Sequence, residues 1–268
     1  MNGSPSPRER WENAYAALRA REGRAGEETQ LAIPYLDSGP LAAQWRIRAR
    51  TYDRFVRAVI APLERRLGRP LCILDLGAGA GWLAARLAAR GHRALAVDLR
   101  LDGVDGLAAG HPFGRGAPGR FARLAADFQA LPFERAAFDV AVFNASLHYA
   151  TNCTKALAGT KRAVAPGGHL VILDSPFYGS ADSGEAMKTE KQQRTREALP
   201  DLADGLLALP FVEYFTAGRL AEIAAPLGLS FSRLRVWYPL RYELRGLVAR
   251  LSGLREPSRF DLWTARVT

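Results

Sequence analysis

Cysteine, histidine, lysine and long apolar runs are all scarce in this chain, and each shortage closes off a class of protein. Two cysteines, Cys72 and Cys153, in 268 residues leave no disulfide framework, which small secreted domains build from closely spaced pairs. The four histidines, His92, His111, His148 and His169, stand at no ligand spacing from one another or from cysteine, so no metal centre is expected. Arg and Asp punctuate even the richest apolar stretches, so none reaches the roughly 18 residues a membrane span needs. The opening MNGSPSPRER lacks the apolar core of a secretory signal. A cytoplasmic protein is the default expectation.

Lysine appears only as Lys155, Lys161, Lys188 and Lys191, so arginine supplies nearly all of a formal charge of +10. That balance by itself suggests an anionic partner such as nucleic acid or a membrane surface. The basic residues are nevertheless spread from Arg8 to Arg266, with no dense block interleaved with aromatics. Nucleic acid therefore stands behind a small molecule as the expected partner. What is present, 48% hydrophobic and 24% charged residues, belongs to an ordinary globular protein, long enough for one α/β domain with an appended cap.

Residues 1 to about 24 place Trp11, Tyr15 and Leu18 at helical spacing after a Ser/Pro-rich lead-in, which predicts a short amphipathic helix. A second helical pattern runs from about Leu41 to Leu67, interrupted near Pro62. Residues 1–69 are thus the expected N-terminal helical cap, and 70–268 the main domain. From Pro70 short apolar runs alternate with helical patterns, the texture of a doubly wound parallel sheet. The runs are Leu71 to Leu76, Ala94 to Val97, Phe121 to Ala126, Phe138 to Phe143 and His169 to Leu173. Helices are expected at Trp82 to Arg90 and at Asn152 to Val164, the latter closed by Pro166-Gly167-Gly168. Residues 175–215 read as an insertion on the substrate side, and within it Ser180 to Arg196 lacks apolar periodicity, the pattern of a mobile lid. A helix from Thr216 to Leu227, a strand from Ser230 to Tyr238, a helix-like insert from Leu240 to Leu251 and a last strand from Phe260 to Val267 complete the reading.

The most informative segment is Leu71 to Trp82, LCILDLGAGAGW, an apolar strand entering three glycines at alternate positions. Gly77, Gly79 and Gly81 permit a tight turn and close approach of a ligand to the backbone. A dinucleotide fingerprint needs a glycine where Trp82 stands, and a phosphate-binding loop needs a following Gly-Lys-Ser/Thr, so both fail. The next strand ends in Asp98, at the place where a carboxylate accepts hydrogen bonds from both hydroxyls of a ribose. The third ends in Asp127-Phe128, a carboxylate for an exocyclic amine beside a ring for an adenine face. Singly these are a turn glycine, a capping aspartate and a core phenylalanine; in this order they form a nucleoside site.

With LDLGAGAG, AVDL, AADFQALPF, FDVAVFNASLHY and APGGHLVILD, the stretch from Ile73 to Tyr178 resembles class I S-adenosylmethionine-dependent methyltransferases, especially the branch that includes quinone-biosynthesis and other small-molecule enzymes. The resemblance implies an α/β fold, a Rossmann-like, mostly parallel seven-stranded sheet with its last strand antiparallel. It implies S-adenosylmethionine as cofactor, leaving as S-adenosylhomocysteine. Gly77, Ala78 and Gly79 would hold its methionine part, with Gly81 completing the turn, Asp98 and the adjoining Leu99 the ribose, Asp127 and Phe128 the adenine. Asp75 matches an acidic position that helps hold the amino end, and Asn144 the position beside the sulfonium. Trp82 and Leu99 depart from the commonest pattern, and Trp82 is expected to narrow the methionine pocket.

On the acceptor side, His148 stands at the end of the fourth strand, where an imidazole can take a hydroxyl or amine proton or only hydrogen-bond in place; the sequence leaves both open. Among Tyr35, Trp45, Tyr52, Tyr178 and Tyr214, candidates either for an apolar acceptor cavity or for packing of the cap, Tyr178 is the expected acceptor-side residue. Asn144-Ala145-Ser146-Leu147 replaces the Asn/Asp-Pro-Pro-Tyr motif usual in nucleic-acid and glutamine N-methyltransferases. A small-molecule acceptor is therefore expected, with an RNA- or protein-modifying enzyme, or a silent S-adenosylmethionine-binding module, as the alternatives.

Overall fold

The computed structural model describes residues 4–23, 31–114 and 120–268. They form a seven-stranded sheet of order β3-β2-β1-β4-β5-β7-β6, built from β1 (Cys72–Leu76), β2 (Arg93–Asp98), β3 (Ala122–Ala125), β4 (Phe138–Asn144), β5 (Val164–Leu173), β6 (Ser232–Leu234) and β7 (Leu262–Arg266). The first five pair in parallel, and β7 runs antiparallel to both β5 and β6. The order reverses between β1 and β4, and the crevice beyond the carboxyl ends of those strands is where such sheets bind ligands.

Alternation along the central strands sorts side chains to two cores, as a sheet covered on both faces requires. Leu74, Leu76, Ala141, Phe143, Leu170 and Ile172 face one side, beneath α5 (Cys153–Ala163) and α8 (Ala217–Ala224). Ile73, Val140, Val142, Val171 and Leu173 face the other, beneath α2 (Ala42–Phe55), α3 (Ala61–Leu67) and α4 (Trp82–Ala89). Phe55, Ile60 and Leu63 are buried in that second cluster. The expected break near Pro62 is a π-helical turn, Val56–Ile60, immediately ahead of Pro62 in the first turn of α3. A proline has no N–H to donate and its ring crowds the carbonyl four residues back, and a widened turn relieves both.

One expectation fails locally. Pro166-Gly167-Gly168 does not close a helix: β5 begins at Val164 and runs through it, with an irregular register against β4 between Phe138 and Val140. The segment Ser180 to Arg196 is α6 (Ala181–Ala198), capped by the Ser180 side chain accepting from the Ser183 N–H. Its polarity reflects how it is held, by side-chain pairs of Glu190 with Arg255 and Lys191 with Glu213 rather than by an apolar stripe. The N-terminal α1 (Pro7–Arg21) opens with a capping box between Ser6 and Glu9. It packs on α7 (Ala203–Leu206), where a Cβ on Gly205 would lie 2.5 Å from that of Ala14.

Candidate functional site

A cavity of about 670 Å³ opens at the carboxyl ends of β1, β2 and β4. Gly77, Ala78, Gly79, Asp98, Leu99, Asp127, Phe128, Asn144 and His148, all expected from the sequence, line it, and α1 closes over it with Arg8, Trp11, Tyr15 and Arg19.

The loop after β1 is fixed by its own backbone. Gly77 and Ala78 both donate to the Val97 carbonyl at 2.8 and 3.0 Å, tying the turn to β2. Gly77 has φ 68°, and a Cβ there would meet Ser146 Cβ at 2.4 Å, so the first glycine serves the joint between β1 and β4 as well as the cavity. Gly81 is at the N-cap of α4, set against the Phe121 ring and behind the lining. Asp98 Oδ2 accepts from the Gly79 N–H at 2.7 Å and Oδ1 from the Arg100 N–H at 2.8 Å. Burial pushes its carboxyl above the usual range against the pull of those donors, and each oxygen keeps a lone pair for a ligand. Asp75 lies beneath the cavity: Oδ2 accepts from the Ala84 N–H of α4 at 3.2 Å, Oδ1 has no partner, and burial pushes the group up to about 7.

Asp127 Oδ1 accepts from the Gln129 N–H at 2.8 Å, and its other oxygen lies 3.7 Å from the Arg8 guanidinium of α1. Phe128 stands edge-on to Phe143 at 5.6 Å between centroids. At the opposite end Arg48, from α2, places Nε 3.2 Å from Asp174 Oδ2 and donates from Nη2 to Asn144 Oδ1 at 3.3 Å. Its guanidinium lies over the Trp45 ring at 4.5 Å and near Trp82 at 5.6 Å. Trp82 is thus on the wall, as expected. Ala145 and Asp174, the residues that follow β4 and β5, have φ 56° and 50°, a left-handed conformation that non-glycine residues adopt at a cost and that clusters at functional sites. Sequence reasoning missed Arg48 and Asp174: no spacing links a helix residue to a strand end 126 positions later, and among so many arginines none stands out.

The acceptor side is aromatic. Trp11 stacks on Tyr15 at 5.0 Å and meets Phe211 edge-on at 5.0 Å, and Tyr149 meets Tyr15 and Phe211 at 5.7 and 5.4 Å. His148 lies beside Tyr149, with Nδ1 3.3 Å from Ser175 Oγ. Burial, with the charges of Lys191, Arg19 and Arg48, pulls its imidazole down to about 3, so the ring is neutral at pH 7. Tyr178 does not reach this cavity. Its N–H donates to the Phe215 carbonyl at 2.8 Å, and its ring turns to Tyr214 and Arg255. Among the described residues the tyrosines on the wall are Tyr15, Tyr149 and Tyr242, and the Tyr242 hydroxyl is buried without a partner. Of the cap aromatics, Trp45 lines the cavity, while Tyr35, Tyr52 and Tyr214 pack elsewhere.

Residues 74–172 match the family described as a methyltransferase domain. Demethylmenaquinone methyltransferase of Thermus thermophilus is 32% identical over 191 residues, covering 70% of this chain and 82% of that protein. The chain belongs to the S-adenosylmethionine-dependent methyltransferase family. An uncharacterized methyltransferase of Mycobacterium tuberculosis is 37% identical over 127 residues, 46% of this chain and 56% of its relative, so the match spans little more than half of that relative's length. In fold the chain is similar to 1,6-didemethyltoxoflavin-N1-methyltransferase of Burkholderia thailandensis, solved with 1,6-didemethyltoxoflavin and S-adenosylhomocysteine, at TM-score 0.53 and 21% identity, covering 100% of this chain and 93% of that one.

Proposed function

We propose that this protein transfers a methyl group from S-adenosylmethionine to O, N or C of a small-molecule acceptor with an apolar ring. The observation that carries the reading is the cavity itself, which is lined by a carboxylate braced by two N–H donors, an aromatic edge and, at the opposite end, a guanidinium paired with a carboxylate. A nucleoside with an amino-acid tail fits that order of groups. Asp98 would accept from the ribose hydroxyls beside Leu99, and Asp127 with Phe128 would hold the adenine. Gly77, Ala78 and Gly79 leave room for the tail, Gly81 starts α4, and Asp75 steadies α4 from below. Arg48 would meet the tail's carboxylate, while Asn144 and the unpartnered Asp174 Oδ1 would accept from its ammonium.

Bound S-adenosylmethionine supplies an electrophilic methyl on a sulfonium, and displacement there asks mainly that the acceptor atom be held in line and close. Residues 1–69 would serve as the cap that does this. Trp11, Tyr15, Tyr149 and Phe211 grip a ring, and the Tyr242 hydroxyl donates to an acceptor oxygen. His148, neutral and weakly basic, accepts a hydrogen bond from the acceptor's hydroxyl or amine rather than storing a proton. The name of the Thermus relative, a demethylmenaquinone methyltransferase, supports the same class.

Calorimetric titration with S-adenosylhomocysteine tests the cofactor site. The native chain should bind it, and Asp98→Ala should weaken binding by roughly 1 to 3 kcal/mol, the scale for stranding buried polar partners. No binding by the native chain overturns the reading. With an acceptor in hand, His148→Ala should lower turnover at least tenfold with cofactor affinity intact.

A further inference from the structure

Among the described residues, seven of the ten exposed large apolar side chains fall in one segment. Trp237, Leu240, Leu244, Leu247, Val248, Leu251 and Leu254, between 42% and 78% exposed, fall within eighteen consecutive positions. They belong to α9 (Leu240–Glu243), α10 (Arg245–Leu251) and the residues flanking them. From Leu240 to Leu251 the apolar positions recur every three or four residues, one helical face, and that face is turned to solvent. The side turned inward carries Tyr242, Ala249, which is buried, and Arg245, whose guanidinium lies 3.4 Å from the Tyr242 ring centroid. This inverts the ordinary surface helix, which hides its apolar stripe, and a contiguous patch of this kind marks an interaction site.

The charge around the patch says what it meets. Arg241 and Arg250 stand exposed on the patch itself, while Arg235 pairs with Glu243 at its rim, Arg255 pairs with Glu190 and Arg245 is turned inward onto Tyr242, so among the described residues the outward cations without an acidic partner are Arg241 and Arg250. Arg235 lies over the Trp237 ring at 3.8 Å, an exposed aromatic and a cation side by side at the rim. A second copy meeting this face about a two-fold axis would oppose the same arginines to themselves. A bilayer bearing anionic headgroups takes the leucines into its acyl boundary and the guanidiniums into its surface. We infer that α9 and α10 dock this protein on an anionic lipid surface. Tyr242 of α9 also lines the cavity, so, resting on the function proposed above, the docked face would stand next to the route of an acceptor dissolved in lipid.

The test uses the full chain and sucrose-loaded vesicles of phosphatidylglycerol and phosphatidylcholine in equal parts, against phosphatidylcholine alone. Sedimentation should be at least tenfold stronger on the anionic vesicles. Because the other four tryptophans are at most 8% exposed and Trp237 is 65% exposed, emission should shift to the blue on docking, and Trp237→Phe should remove the shift. The pair Leu247→Asp and Leu251→Asp should cut sedimentation at least tenfold while leaving the thermal midpoint and S-adenosylhomocysteine binding unchanged; those two readouts separate a failed surface from a failed cofactor site. No sedimentation, or sedimentation indifferent to the leucine pair, overturns the inference. So does a dimer in solution that the leucine pair abolishes without any binding to vesicles.

Discussion

Asp75, buried, and His148, half-buried, are ionisable groups near the same cavity, and they respond to pH in opposite senses. Burial raises the Asp75 carboxyl to about 7 from an unfolded value near 4. The folded state therefore binds a proton more tightly, and the stability this contributes is full below about pH 4 and lost as pH climbs through 7. By linkage those three or so units are worth roughly 4 kcal/mol. His148, drawn down to about 3, works the other way: its contribution is full above about pH 6.5 and lost as pH falls towards 3. Thermal midpoints of the unliganded chain between pH 4 and 8 should show Asp75→Asn gaining on the native protein as pH rises from 5 to 8, and His148→Gln flattening the acid limb. A gap that stays constant with pH for both variants contradicts these assignments. At this scale the sequence reached Asp98 and Asp127 because each stands at or just past the end of an apolar run, and Asn144 through the family resemblance. It missed Arg48 because a helix side chain is brought to Asn144 and Asp174 only by how α2 crosses the sheet, and it misjudged Tyr178 because one backbone bond to Phe215 turns that ring away.

Helix α6 and helix α5 each contain a glycine, and their surroundings set opposite signs for the same substitution. Gly159, in α5, has nothing within 4 Å of where a Cβ would stand, so Gly159→Ala should stabilise by about 0.5 to 1 kcal/mol through helix propensity and a less mobile unfolded chain. Gly184, in α6, faces the Tyr214 ring, where a Cβ would lie 2.0 Å from Cε2. The Tyr214 hydroxyl donates to Glu185 Oε1 at 2.8 Å, so ring and helix are locked together, and Gly184→Ala should cost about 1 to 3 kcal/mol by overpacking. Denaturant midpoints of the two variants decide this, and equal shifts would refute it. Without apolar periodicity nothing in the sequence marks α6 as a helix, because its docking runs through ion pairs and one tyrosine, and charge pairs leave no period in a sequence.

Helix α1 joins the ends of the chain's function into one object, since Arg8 reaches Asp127 at 3.7 Å and Arg19 reaches Asp105 at 3.5 Å across the cavity. A ligand beneath it should brace cap and sheet together. At S-adenosylhomocysteine concentrations a hundredfold above its dissociation constant the folded state should gain about 2.7 kcal/mol, and amide exchange in α1 should slow along with that in the loop after β1. Exchange slowed only in the loop would free α1 from the site.

The sequence alone determined the alternation of strands and helices, the glycine turn after β1 and the carboxylates that follow it, because short-range periodicity and fixed offsets from a turn are local properties. The parallel, doubly wound sheet was read from that alternation, and the seven strands with an antiparallel β7 were reached through the family resemblance carried by those same segments. Only the tertiary structure decided what stands opposite them: α1 over the cavity, Arg48 between Asn144 and Asp174, the burial that moves Asp75 and His148, and the outward face of α10. Those depend on which surfaces meet across more than a hundred residues, and burial and charge pairing at such contacts are set by packing in three dimensions rather than by any spacing along the chain.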